Sequence, residues 1–253
     1  MIDERSESYG VGALPASPAG RGRSPLGIAA WGVNMTYGKG ALTTPVLHDV
    51  SLTIDPGQLV LLTGPSGSGK TTLVSILAGL LRPTAGTVDV CGRRITSMNE
   101  GEIARVRRAH VGFVFQTDNL FPALTAIDNV AEVLALRGMS RVLARVRAND
   151  ALVAVGLAER LGHRPGELSG GQRQRVSVAR ALAGAPSLLI GDEITSALDG
   201  TTALQIMHLV RTYITPHTAA LIVTHDHRLE RFADRIIAME DGRIVSDTRR
   251  EPS

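Results

Sequence analysis

Eight consecutive residues, Gly64-Pro65-Ser66-Gly67-Ser68-Gly69-Lys70-Thr71, fit the pattern G-x-x-x-x-G-K-[ST]. Gly64, Gly67 and Gly69 allow a turn tight enough to aim backbone N–H groups at phosphate oxygens. A helix starting near Lys70 adds the positive end of its dipole. Lys70 has the charge and reach for the β- and γ-phosphates of a nucleoside triphosphate. The Thr71 hydroxyl suits Mg2+, and Thr72 is the next residue of the same set. Further along, the apolar run Ser187–Ile190 leads through Gly191 to Asp192-Glu193. On their own two carboxylates after a buried strand read as an acidic turn; together with the glycine loop they can divide the work, Asp192 holding the cation and Glu193 taking a proton from water or orienting it. Leu168-Ser169-Gly170-Gly171-Gln172 supplies another anion site, because Ser169 is a good N-cap and the two glycines let a ligand approach the first helical N–H groups. Gln116 and His225 each follow an apolar run; taken singly, each would be read as a solvated surface residue.

The elements that must position these groups alternate between strand and helix. Val46–Ile54 alternates apolar and polar residues as a half-buried strand does, and Asp55-Pro56-Gly57 is a turn. Leu59–Thr63 is a short buried-strand run feeding the glycine loop, and Lys70–Leu81 has helical spacing up to Pro83. Val111–Phe115, Ser187–Ile190 and Ala219–Thr224 are further buried-strand candidates. Arg235–Met239, Asp241-Gly242 and Arg243–Val245 predict a closing hairpin. Between them, Ile127–Leu136, Val142–Val155 and Leu157–Leu161 show helical spacing with no strand, which predicts a helical insertion over about 117–170. Residues 1–27 are rich in Ser, Gly, Pro and Arg without periodicity and read as a disordered lead-in. Residues 28–246 form one domain, and 247–253 read as a polar tail.

Composition narrows the class. The 253 residues suffice for one large α/β domain. Aromatics are only 3%, so the core must be built from Val, Ile, Leu and Ala. The formal charge of +3 is spread along the chain rather than gathered into a stripe, which argues against a nucleic-acid partner. The single cysteine, Cys91, rules out an internal disulfide framework and fits a reducing compartment. No signal-peptide pattern opens the chain, and no apolar run approaches the ~18 residues that span a bilayer. If the protein works at a membrane, another polypeptide supplies the spanning helices.

In this order, the glycine loop, Gln116, the Leu168–Gln172 stretch with Gln174-Arg175 after it, Asp192-Glu193 and His225 resemble the ATP-binding subunits of ABC transporters, over about residues 29–246. The resemblance implies an α/β fold: a P-loop NTPase core with a mixed sheet, an antiparallel β subdomain and an inserted helical subdomain. It implies ATP and Mg2+ as cofactors, ATP hydrolysis, a second copy of the chain that closes on MgATP, and separate membrane permease subunits. The chain would then sit peripherally on the cytoplasmic face of the inner membrane. It implies that Gln116 senses Mg2+ and the attacking water, that His225 contacts the γ-phosphate, and that Ser169, Gly170, Gly171 and Gln172 face the γ-phosphate held by the opposite copy. Ser196-Ala197-Leu198-Asp199 resembles the loop that couples the two sites, and Tyr37 stands near the place of an adenine-stacking ring, with Trp31 close by. The run Phe113–Gln116 with Asn119–Ala126 and Asp128-Asn129-Val130 looks most like the lipoprotein-release, macrolide-export and cell-division group. A division-type module that moves no solute is the alternative function. A DNA-repair or translation ATPase fits less well, because such proteins carry two cassettes or long insertions.

Three positions depart from or vary that pattern. Ile194-Thr195 follows the carboxylates where the family usually has Pro-Thr, which removes a fixed φ and restores an N–H beside Glu193. Thr71 replaces the commoner serine with an equivalent hydroxyl, and Gly191 is small for the strand but tolerable there.

Overall fold

The computed structural model describes residues 27–250 apart from 39 and 41. All but the last residue of the expected lead-in 1–27 lies outside the described residues, as do 251–253. Two sheets organise the rest. The first is antiparallel, with order β2-β1-β4-β5, built from β1 (Ile28–Tyr37), β2 (Thr44–Ile54), β4 (Ala85–Val90) and the short β5 (Arg93–Arg94). The second has order β10-β9-β3-β8-β7-β6, from β3 (Leu59–Thr63), β6 (Val111–Val114), β7 (Leu188–Asp192), β8 (Ala219–Val223), β9 (Arg235–Glu240) and β10 (Arg243–Arg249). Five of its strands run parallel, and β10 returns antiparallel along the edge.

β7 and β8 are buried at every residue, and β3 at every residue but its last. This is why they read as continuous apolar runs rather than alternating ones: both faces are covered. One face joins Val60, Leu62, Leu188, Ile190, Leu221 and Val223 to a core shared with the antiparallel sheet and with α1 (Lys70–Leu77) and α2 (Glu100–His110). The other joins Leu59, Leu61, Leu189 and Ile222 to α3 (Ala126–Leu136), α4 (Arg141–Ala154), α5 (Gly170–Leu182) and α6 (Gly200–Tyr213). The helical insertion is therefore α3 and α4, packed against each other and onto α5. Its helices start on Thr125 and Ser140, whose side chains accept the N–H groups of Asp128 and Leu143.

Two expectations need correction. Helix α1 ends at Leu77 rather than Leu81, because Gly79 takes a φ of 68° and turns the chain out of the helix. The expected polar tail does not begin at Asp247: β10 runs on to Arg249, with Asp247 opposite Ile237. Arg235 is buried and pairs through two nitrogens with Asp247, while its third guanidinium nitrogen donates to the Thr53 carbonyl at 2.7 Å. The ion pair satisfies a buried cation and ties the edge strand down.

Candidate active site

Four loops at the carboxyl ends of adjacent parallel strands make the site. The glycine loop follows β3, His225 follows β8, Glu193 follows β7 and Gln116 follows β6. Open α/β sheets bind ligands at this edge. The strands lie side by side in the order β3-β8-β7-β6, so four groups far apart in sequence become neighbours.

The glycine loop takes its shape from backbone angles that side chains resist. Gly64, Gly67 and Gly69 have φ of 137°, 81° and 92°. A Cβ at Gly64 would fall 2.0 Å from the Met239 carbonyl oxygen, so no other residue fits there. Above Gly67 a Cβ would meet nothing within 4 Å, which leaves the mouth of the loop open. Lys70 is buried, and its Nζ donates to the carbonyls of Gly64 at 2.9 Å and Pro65 at 2.7 Å and to the Ser68 hydroxyl at 3.2 Å. Burial lowers its pKa, opposed by the charges of Glu193 and Asp192. Pro65 and Ser66 are exposed at the rim of the loop.

Glu193 stands between two of the predicted catalytic groups. Gln116 Nε2 donates to its Oε2 at 3.2 Å, and His225 Nε2 lies 3.2 Å from its Oε1. The backbone presents the carboxylate in a strained conformation: Glu193 has a φ of 51°, its N–H donates to the Val223 carbonyl, and its own carbonyl accepts the Ser196 N–H. Next to it, Asp192 is buried and its Oδ1 finds no hydrogen-bond partner. Burial raises the Asp192 pKa; the Thr71 hydroxyl pulls it back, Glu193 raises it further, and Lys70 and His225 lower it.

An orphaned buried carboxylate oxygen beside a threonine hydroxyl fits a hard divalent cation. Among the described residues no group of three or more His, Cys, Asp or Glu side chains could hold a metal by itself. Mg2+ is such a cation: it takes one or two protein oxygens and completes its shell with water and phosphate. Asp192 and Thr71 would hold it.

Tyr37 closes β1 half-exposed, with its hydroxyl 3.4 Å from Thr72 Oγ1 at the start of α1. This places an aromatic ring beside the glycine loop, whereas Trp31 lies further back along β1, opposite Thr87. Ser169 caps α5 as expected: its hydroxyl accepts the Gln172 N–H, and Gln172 Oε1 accepts the Ser169 N–H in return. Gly170 is exposed at this tip, while a Cβ at Gly171 would press on the Ala197 carbonyl at 3.1 Å. Among the described residues no hydrogen bond links Ser169–Gln172 to the glycine loop of the same chain. Asp199 spends its carboxylate on its own helix, accepting the N–H groups of Thr201 and Thr202 and the Thr202 hydroxyl.

One set of neighbours of the site had a partner that no sequence pattern named. Arg173, Ser177 and Arg180 lie on one face of α5 and grip the loop after Gln116. Arg173 donates to the Asp118 carboxylate at 2.7 Å, Ser177 to the Asp118 carbonyl at 3.1 Å, and Arg180 to the carbonyls of Asn119 and Asp118 at 2.7 and 2.9 Å. The spacing on the helix was visible in the sequence, but its partner loop was not.

The comparisons with known proteins agree with this geometry. The profile of the ABC transporter family matches residues 47–196. The lipoprotein-releasing system ATP-binding protein LolD of Psychrobacter arcticus is 44% identical over 85% of this chain and 96% of its own. The macrolide export ATP-binding/permease protein MacB of Rhodopseudomonas palustris is 40% identical over 87% of this chain but only 34% of its own, so the chain spans about a third of that relative. Among solved structures, the dimeric ATP-binding cassette MJ0796 bound to ADP and phosphate superposes with a TM-score of 0.84 at 37% identity, covering 88% of this chain and 98% of that one. The chain therefore belongs to the ABC transporter family, as one of its ATP-binding cassettes.

Proposed function

We propose that the chain binds and hydrolyses MgATP and that two copies close on the nucleotide to drive a separate membrane permease of the lipoprotein-release or macrolide-export kind. The observation that carries the catalytic part is Glu193 held between Gln116 and His225, 3.2 Å from each, beside Lys70 and the orphaned Asp192 oxygen. In this reading the N–H groups of the glycine loop and Lys70 bind the phosphates, while Asp192 and Thr71 would hold Mg2+, which would supply charge neutralisation. Glu193 orients the attacking water and takes up its proton, with Gln116 and His225 fixing the carboxylate. Tyr37 stacks on the adenine. The exposed tip of α5, from Ser169 to Gln172, engages the γ-phosphate held by the second copy, and Asp199 lies in the loop that meets it. The permease part rests on the relatives: LolD is named for a lipoprotein-releasing system, and MacB combines an ATP-binding part and a permease in one protein. No helix among the described residues is long and apolar enough to cross a membrane, which fits a peripheral subunit.

Steady-state turnover and equilibrium ATP binding test the site together. Glu193→Gln is expected to lower turnover by roughly 10²- to 10⁴-fold while ATP affinity is kept. Turnover at the wild-type rate would remove Glu193 from the chemistry.

A further inference from the structure

Gly191 lies within β7, one residue before Asp192, and its φ is not in the left-handed region, so the backbone itself does not call for glycine. Space does. A Cβ at Gly191 would stand 2.4 Å from Ile194 Cγ2 and 3.0 Å from Ile222 Cδ1. Ile194 is 1% exposed and belongs to the apolar core on the α3–α6 face of the sheet, as does Ile222. The Ile194 side chain thus folds back from the turn after Glu193 and fills the place a side chain at 191 would take.

We propose that Ile194, seated over Gly191, is the positioning residue that fixes the Glu193 turn in this chain. Proline where the family usually carries it would restrict the turn through its ring. Isoleucine leaves φ free, and the restriction comes instead from a buried side chain locked against β7. The turn runs from Glu193 to Ser196, whose N–H donates to the Glu193 carbonyl at 3.0 Å, so anything that lifts Ile194 swings the backbone that carries the carboxylate. Gly191 and Ile194 are one device, and neither substitution is neutral while the other partner stays.

This inference rests on Glu193 acting in hydrolysis, so the test includes Glu193→Gln as a control. Single-turnover hydrolysis and the MgATP dissociation constant are measured for wild type, Ile194→Ala, Ile194→Val, Gly191→Ala and the double variant Gly191→Ala/Ile194→Ala. Ile194→Ala should slow hydrolysis by about tenfold or more, the scale expected when a reacting group shifts by a fraction of an ångström, with the dissociation constant unchanged. Ile194→Val keeps Cγ2 and should recover most of the rate. Gly191→Ala should slow hydrolysis on the wild-type background but cost little on the Ile194→Ala background, where the new methyl fills the emptied space. Three results would overturn the proposal: Ile194→Ala at the wild-type rate, a loss of ATP affinity in step with the rate, or an equal Gly191→Ala cost on both backgrounds. Should Ile194→Ala fail to fold, Gly191→Ala alone carries the test, and a wild-type rate there has the same force. If Glu193→Gln itself hydrolyses ATP normally, the reading of Glu193 fails; if it is inactive while Ile194→Ala is normal, only the positioning role fails.

Discussion

Asp192 holds a buried carboxylate oxygen with no partner, and burial raises its pKa. A carboxyl whose pKa is higher folded than unfolded favours the folded state at low pH and loses that contribution as pH rises through the folded value. At neutral pH the ionised Asp192 is therefore a stability cost that Mg2+ or an amide relieves. Asp192→Asn should melt above the wild type at neutral pH without nucleotide. The gap should close as pH falls into the ordinary carboxylate range, and calorimetry across that range checks it. The same variant should lose the Mg2+ dependence of ATP binding. Cys91 gives an independent check of burial: its thiol is pushed up to about 11, chiefly by desolvation, so it should resist alkylation at neutral pH until the chain unfolds. At this scale the glycine loop was legible because its chemistry is contiguous. Gln116 and His225 were legible only through the order of motifs, since what makes them special is strand adjacency. Ile194 was legible as a departure, but its seat over Gly191 belongs to three-dimensional packing.

Helix α5 does two jobs with one sequence. Its first turn presents Ser169 and the glycines, and its middle carries Arg173, Ser177 and Arg180, which hold the loop after Gln116. Ser169→Ala removes the cap hydroxyl and should cost about 1 kcal/mol in urea unfolding, with Ser169→Thr recovering most of it. Arg173→Ala should lower turnover more than ATP affinity, because it frees Asp118 and loosens the loop that brings Gln116 to Glu193; kcat and nucleotide affinity measured side by side check it. Buried strands and capped helices were readable because their patterns are local. The two misplaced ends have separate causes. β10 shows only one partly buried residue, so no alternation marks it, and a buried Arg235–Asp247 pair rather than apolar contact holds its end. The early end of α1 turns on one left-handed glycine inside a sequence that still looks helical.

For the whole molecule, the α/β class followed from alternating strand and helix signals and its subdomains from the resemblance, but the order β10-β9-β3-β8-β7-β6 did not, because β3 inserts between β8 and β9, strands far from it in sequence. That order is what assembles the site. Among the described residues no hydrogen bond joins the exposed tip of α5 to the phosphate loop of its own chain, and the proposed function gives that tip the loop of a second copy to meet. A tagged Glu193→Gln chain drawn from detergent-solubilised membranes with MgATP should bring a permease with few spans and a large external domain; a many-spanning permease would contradict the proposed kind of partner. The most direct test of the account as a whole is the molar mass of Glu193→Gln by light scattering, with and without saturating MgATP and with nucleotide binding verified by equilibrium dialysis. A monomer of 26.8 kDa that doubles in mass only with MgATP is the expected result. A chain that binds MgATP and stays a monomer would contradict it.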